Sequence, residues 1–270
     1  MNSTSNPFHH QNSSTSHKKL IIDMSILEAS SKSVALKHPL AALSFYMGKK
    51  NALHEAIILD AAKHIFGAHT DLRPWKNALS EITSNDLIPP NKNTFDVVVG
   101  NNLNTTFGKW IWCCVRVLQP DVMIETGVAH GSSSWIILNA MHKNGKGKLY
   151  SIDLPNHDTN KDYNFQNTQP ETGWMVPDIL KSQWELHLGY AQELLPMLLN
   201  KLQKIDIFFH DSDHSYEHMK FEFETSSPFI RKGGLLLSDD VHKNKAFAEY
   251  VANTKYKALQ FNKGGCAIAQ

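Results

Sequence analysis

A doubly wound α/β fold with a mostly parallel sheet is what this 270-residue sequence predicts, and three observations predict it. After Pro120 short β-prone runs recur as DVMIET, KLYSIDL, WELHLG, KIDIFFHD and GGLLLSD, and helix-compatible segments follow the first, third and fourth. Strand and helix alternating at this spacing is the pattern of helices crossing over between parallel strands. The stretch 204–241 shows the unit most clearly: an apolar run stops at Asp211 and Asp213, a helix-length segment follows, and a second apolar run stops at Asp239 and Asp240. The chain's end departs from this beat. YKALQFN, the turn signal KGG and CAIAQ read as an antiparallel hairpin closing the sheet.

The remaining elements follow in order. Residues 1–18 carry Ser, Asn, Thr and His with almost nothing to bury, so a disordered tail is expected, with His9 and His10 as a solvated pair. Residues 19–94 are helical and broken, without strand-like alternation, and read as an N-terminal helical cap over the carboxyl edge of the sheet. The breaker IPPNKN at 88–93 marks the seam with the sheet domain, 95–270. Residues 105–118 form an amphipathic helix whose apolar face includes Phe107, Trp110, Ile111, Cys114 and Leu118, and Pro120 ends it.

Composition narrows the function. A 41% hydrophobic, 10% aromatic chain fills a sizeable core, which excludes global disorder. The formal charge of +1, without a long Lys/Arg run, argues against a nucleic-acid partner. Three cysteines, with Cys113 and Cys114 adjacent, make a poor disulfide framework and suit a reducing compartment. No apolar run approaches membrane-spanning length and the N-terminus lacks a secretory apolar segment, so the cytoplasm is the default. The expected partner is a small molecule, and a homo-oligomer is compatible with the sequence.

The chemistry gathers at the ends of the predicted strands, where open α/β sheets bind ligands. Glu125-Thr-Gly127-Val-Ala-His-Gly131 lies between the first strand and a helix opened by Ser132. Glycines there let a backbone approach a ligand, and the helix start offers free N–H groups. The spacing is not the dinucleotide fingerprint, since Ala129 and Ser132 stand where its later glycines would be. That disfavours a pyrophosphate and leaves a nucleoside. Asp153 ends the second strand, where a carboxylate can accept both ribose hydroxyls, and Gly189 ends the third, where an adenine ring could approach. Asp211, Asp239 and Asp240 crowd one volume with His214, a repulsion relieved by a hard cation or a raised pKa. His214-Ser-Tyr-Glu217-His218 also matches the inverted zincin pattern, but His214 falls at or before the helix start and His218 reads as a surface helix residue.

These motifs resemble the class I S-adenosylmethionine-dependent methyltransferases, a Rossmann-like family, over residues 95–270. Glu125-Thr-Gly127 to Gly131 resembles their first motif, Asp153 their ribose-binding acid, and the terminal hairpin their last two strands. Within that superfamily the chain is similar to the metal-dependent O-methyltransferases of the macrolide-sugar (macrocin and mycinamicin) and catechol types. The resemblance implies S-adenosylmethionine held by Glu125, Gly127, Gly131, Ser132, Asp153 and Gly189. It further implies Mg²⁺ on Asp211, Asp239 and Asp240, His214 as general base, and Asp213 either orienting it or capping the helix. The acceptor implied is a hydroxyl of a small sugar or natural product. A metal-independent enzyme and a non-catalytic nucleoside-binding protein of the same fold are the alternatives.

Overall fold

The computed structural model describes residues 39–83, 87–91, 103–155, 171–254, 256–261 and 263–270. The expectations for residues 1–18, for His9 and His10, for 19–38 of the cap and for the last two residues of the seam lie outside them. Five parallel strands come first: β1 (Val122–Thr126), β2 (Lys148–Asp153), β3 (Trp184–Leu188), β4 (Ile205–His210) and β5 (Ile230–Ser238). The hairpin β6 (Lys257–Gln260) and β7 (Gly265–Ile268) completes a seven-stranded sheet in the order β3-β2-β1-β4-β5-β7-β6. β7 inserts beside β5 and runs antiparallel to both β5 and β6, as the turn signal predicts.

Alternation along each strand divides the core. Met123, Leu149, Ile207, Phe209, Leu235, Leu237 and Cys266 face one side, while Ile124, Ile152, Phe208, Leu236 and Ala267 face the other. Helices α5 (Ala191–Leu202), α6 (Tyr216–Ser226) and α7 (Ala246–Thr254) cover the second side. On the first lie α3 (Thr106–Leu118) and α4 (Ser132–Asn144), with α1 (Pro39–Phe66) and α2 (Arg73–Glu81) outside α3. Thr105 caps α3 by accepting the Gly108 N–H at 3.0 Å.

Residues 19–38 of the expected cap lie outside the described residues, and the described N-terminal helices pack on the outer side of α3. They form an extra layer against α3, because α3 is apolar almost all round and must be covered on its outer side as well. Gly108 through Val115 are all buried, both adjacent cysteines included. Trp110 stacks on Trp75 with ring centroids 5.1 Å apart and meets Phe261 at 5.3 Å. Arg116 forks onto both Glu81 carboxylate oxygens, and the Trp112 indole donates to Ala78 O at 2.8 Å. Around Asn51 α1 reaches the first turn of α3, where Lys109 meets it.

One boundary moves. The helix-length segment between the two acidic loops is divided: α6 ends at Ser226 and a 3₁₀ turn, Ser227–Phe229, leads directly into β5. Pro228 cannot donate its missing N–H to a continuing helix. β5 thus starts at Ile230, with a register irregularity against β4 between Ile205 and Ile207.

Trp110→Ala should remove about 3–5 kcal/mol of stability, the usual cost of emptying a packed aromatic site. Urea unfolding at neutral pH measures it, and a loss below about 1 kcal/mol would mean the outer helices do not share the sheet's core.

Candidate active site

The reversal of strand order between β1 and β4 brings their following loops together at the carboxyl edge. The contact is close enough to dictate residue type. Gly127 has φ +84°, and a Cβ placed there would lie 2.0 Å from the Asp211 carbonyl oxygen. The Asp211 N–H donates to Thr126 O at 2.8 Å and the Asp239 N–H to His210 O at 2.9 Å, so strand pairing continues into the acidic loops. Gly131, the residue before α4, has φ +92° and packs against Gly173 and Val176. Both glycines let protein backbones approach each other at these points. Gly189 follows β3 and donates its N–H to Asp153 O at 2.8 Å.

Two expected cofactor residues turn out to be occupied. Glu125 is fully enclosed, and its carboxylate accepts hydroxyls from Ser133 and Ser134 at 2.6 Å and Ser151 at 2.7 Å. It ties the start of α4 to β1 and β2 instead of facing a ligand. Burial raises its carboxyl to about 7 against those three hydrogen bonds. Asp153 braces the glycine turn: Oδ2 accepts the N–H groups of Val128 and Ala129 at 2.9 and 2.7 Å, and Oδ1 accepts that of Leu154. The turn needs this support because Ala129 sits at φ +48°, unusual for a residue with a side chain.

The acidic cluster forms in part. Ligating atoms of Asp211, His214 and Asp239 all lie within 4.8 Å of one another. His214 Nε2 is 3.7 Å from Asp211 Oδ1, and Nε2 is buried without a hydrogen-bond partner. Burial and then Asp239 push the Asp211 carboxyl well above the usual range, and burial raises Asp239 too. Burial, then the His210 ring and Lys243, lower His214 to about 4. Asp240 stands apart from the expected triad. Its Oδ2 is 2.6 Å from Lys243 Nζ, and although burial opposes its charge, that ammonium keeps its carboxyl below the usual value. The oxygens of the two carboxylates fit a hard divalent cation, and the unpartnered His214 Nε2 lies beside them.

Behind this cluster lies a buried network that sequence reasoning missed. Glu222 of α6, wholly inaccessible, accepts from Thr126 Oγ1 at 2.6 Å and Ser212 Oγ at 2.9 Å. It also pairs with His210 Nδ1 at 2.6 Å and His218 Nε2 at 2.8 Å. His218 is thus a packed residue with a 9% exposed side chain, because Glu222 one helical turn away draws it inward. The zincin pattern dissolves for the same reason, with His214 ahead of α6 and Glu217 exposed. Asp213 accepts from the Ser215 N–H and hydroxyl, closing the turn before α6. A readable signal existed: Met219, Glu222, Phe223 and Ser226 share one helical face, so a glutamate stands on the inward side.

Residues 124–241 match the model of a family described as a methyltransferase domain. That match runs from within β1 to just past β5 and takes in the glycine turn and both acidic loops: over these residues the chain is similar to a methyltransferase domain. No curated protein matches the chain. Solved structures similar to it include a methyltransferase of Podospora anserina bound to S-adenosylhomocysteine, at 12% identity over 74% of this chain and 87% of that one, TM-score 0.45. An O-methyltransferase from Bacillus cereus in complex with S-adenosylhomocysteine aligns at 13% identity over 78% and 97%, TM-score 0.44. The MycE methyltransferase of mycinamycin biosynthesis, in complex with Mg, S-adenosylhomocysteine and mycinamycin VI, aligns at 14% over 57% and 46%, TM-score 0.42. Likenesses this distant say nothing of the acceptor. Among the described residues no helix is long and apolar enough to cross a membrane.

The network leaves a pH signature. Burial opposes the Glu222 charge, but the hydrogen bonds from His210 and His218 outweigh it and hold the carboxyl at about 2, below its ordinary 4.5. A depressed folded-state pKa gives stability that is complete above about pH 4.5 and is lost as pH falls towards about 2. Urea unfolding of wild type and Glu222→Gln at pH 7, 4 and 3 should show the wild type losing stability more steeply below pH 5. Equal slopes would mean that Glu222 is not held as an anion.

Proposed function

We propose that this protein transfers a methyl group from S-adenosylmethionine to a hydroxyl of a small-molecule acceptor, with a divalent cation, Mg²⁺ by preference, at the acidic cluster. The observation that supports it best is the grouping of Asp211, His214 and Asp239 at the carboxyl ends of β4 and β5, beside the glycine turn of β1. The cofactor takes the β1–β2–β3 side, with the 127–131 turn and its Asp153 brace against the methionine and ribose portions and Gly189 near the base. Asp211 and Asp239 hold the cation, and Asp240 joins them by leaving Lys243. Such an ion lowers the pKa of a bound hydroxyl and fixes its orientation.

The chain's own residues supply alignment and the proton acceptor. His214, with its burial-lowered basicity and open Nε2, is a neutral acceptor near pH 7. The acceptor oxygen attacks the methyl carbon from the side opposite sulfur, forming the O–C bond as the C–S bond breaks. The hydroxyl proton passes to His214, and S-adenosylhomocysteine leaves with the electron pair of the broken bond. The His210–Glu222 pair behind the loop keeps Ser212, and hence the 211–214 segment, in place.

Isothermal titration should detect S-adenosylhomocysteine binding, weakened about 10- to 100-fold by Asp153→Ala, the scale of charge-assisted hydrogen bonds. With an acceptor in hand, EDTA should abolish transfer and Mn²⁺ or Mg²⁺ restore it. His214→Ala should slow transfer by about 10²–10⁴ while Mn²⁺ affinity is retained. Full activity in EDTA would leave a metal-independent methyltransferase, and a lost Mn²⁺ affinity in His214→Ala would make that residue a ligand instead of the base.

A further inference from the structure

The contact between α1 and the first turns of α3 holds charged groups that methyl transfer does not use. Lys50, Asn51 and His54 lie on one side of α1, since positions three and four apart share a helix face. Opposite them Lys109 of α3 is buried, only 7% exposed, and its Nζ donates to Asn51 Oδ1 at 2.9 Å. His54 is 2% exposed, and its Nδ1 has no hydrogen-bond partner. Among the described residues no carboxylate forms an ion pair with Lys50, His54 or Lys109. What acts on these groups is chiefly burial and one another. Burial, then Lys109 and Lys50, lower His54 to about 4, and burial and then Lys50 pull Lys109 below its usual value.

Lysines are seldom buried without an anionic partner, because removing an ammonium from water is costly unless a negative charge compensates. Here a second cation and an orphaned imidazole nitrogen stand where that charge would be. The place is also suited to a ligand. Asn51, which Lys109 meets, is exposed and Lys50 is half-buried, so the cluster borders solvent. α3 leads through residues 119–121 to the start of β1, which puts its first turn at the carboxyl edge of the sheet. Phe107, two residues before Lys109, packs on Phe209 of β4 at 6.1 Å, and Asp211 follows two residues after Phe209. The first turn of α3 therefore lies near the end of β4, with Lys109 turned outward against α1.

We propose that Lys109, His54 and Lys50, with Asn51, form an anion-binding site for a carboxylate or phosphate group carried by the methyl acceptor. The proposal deepens the function put forward above and rests on it for the identity of the ligand as acceptor. The oxyanion accepts from Lys109 Nζ and from a His54 Nδ1–H, and its charge favours the protonated ring. Asn51 then releases Lys109 or shares it.

The test needs no acceptor. Full-length protein is titrated with inorganic phosphate, and separately with acetate, at ionic strength held constant with chloride. The His54 C2–H resonance, assigned by its loss in His54→Gln, is followed by NMR. The expected result is a saturable shift of that resonance and a rise in the His54 pKa from about 4. Lys109→Met should weaken half-saturation about tenfold or more, the scale of a charge-assisted hydrogen bond. The anion that saturates at lower concentration names the group. No saturable response to either anion overturns the proposal, as does a response of equal strength in Lys109→Met. Lys50→Met serves the same purpose should Lys109→Met not fold. S-adenosylhomocysteine titration in parallel separates the two readings: cofactor binding without an anion response removes this site alone, and the converse removes the methyltransferase reading and keeps the site.

Discussion

The approach of two backbones, at Gly127 and Asp211, is the constraint on which the site depends. Because β1 and β4 are adjacent at the point where the sheet reverses its winding, their loops leave the same edge side by side. A side chain at Gly127 would occupy the position of the Asp211 carbonyl, so only glycine allows the loops to run together. Backbone hydrogen bonds from Asp211 to Thr126 and from Asp239 to His210 then carry sheet register past the strand ends. The acidic residues accordingly take their positions from the rigid sheet, which holds catalytic groups more closely than a free loop could.

Buried charge is handled in contrasting ways around this point. Glu125 is surrounded by three serine hydroxyls, neutral donors that only partly offset burial, and its carboxyl rises to about 7. Glu222 meets two imidazoles and two hydroxyls and is held as an anion, at about 2. Both are satisfied and both fasten loops to the sheet. Asp211 and Asp239 differ, since burial raises the proton affinity of both, Asp239 raises that of Asp211 further, and His214 beside them keeps an unpartnered nitrogen. The same contrast sets Lys109 and His54 apart from Arg116, whose charge Glu81 answers directly. Satisfied ionic groups build this fold, and the unsatisfied ones lie at the sites proposed for ligands.

The parallel sheet, the closing hairpin and the location of the acids were all legible in the chain. Strand periodicity is local, and parallel crossovers leave few topologies. The β4 and β5 runs end at Asp211 and Asp239 in the sequence as they do in space, and a single glycine at 127 announces a turn. Sequence by itself thus determined which residues stand at the carboxyl edge. Which way their side chains face was decided only by tertiary structure. Asp153 turns to brace Val128 and Ala129, Glu125 is enclosed by serines, and Asp240 is drawn to Lys243, each because a donor distant in sequence or on another turn offers a better partner than water. The junction at Glu222 joins residues up to 96 positions apart, and Lys109 meets Asn51 across 58. Pairings of that range depend on how helices pack on the sheet, a global energy balance that no local pattern of residues encodes.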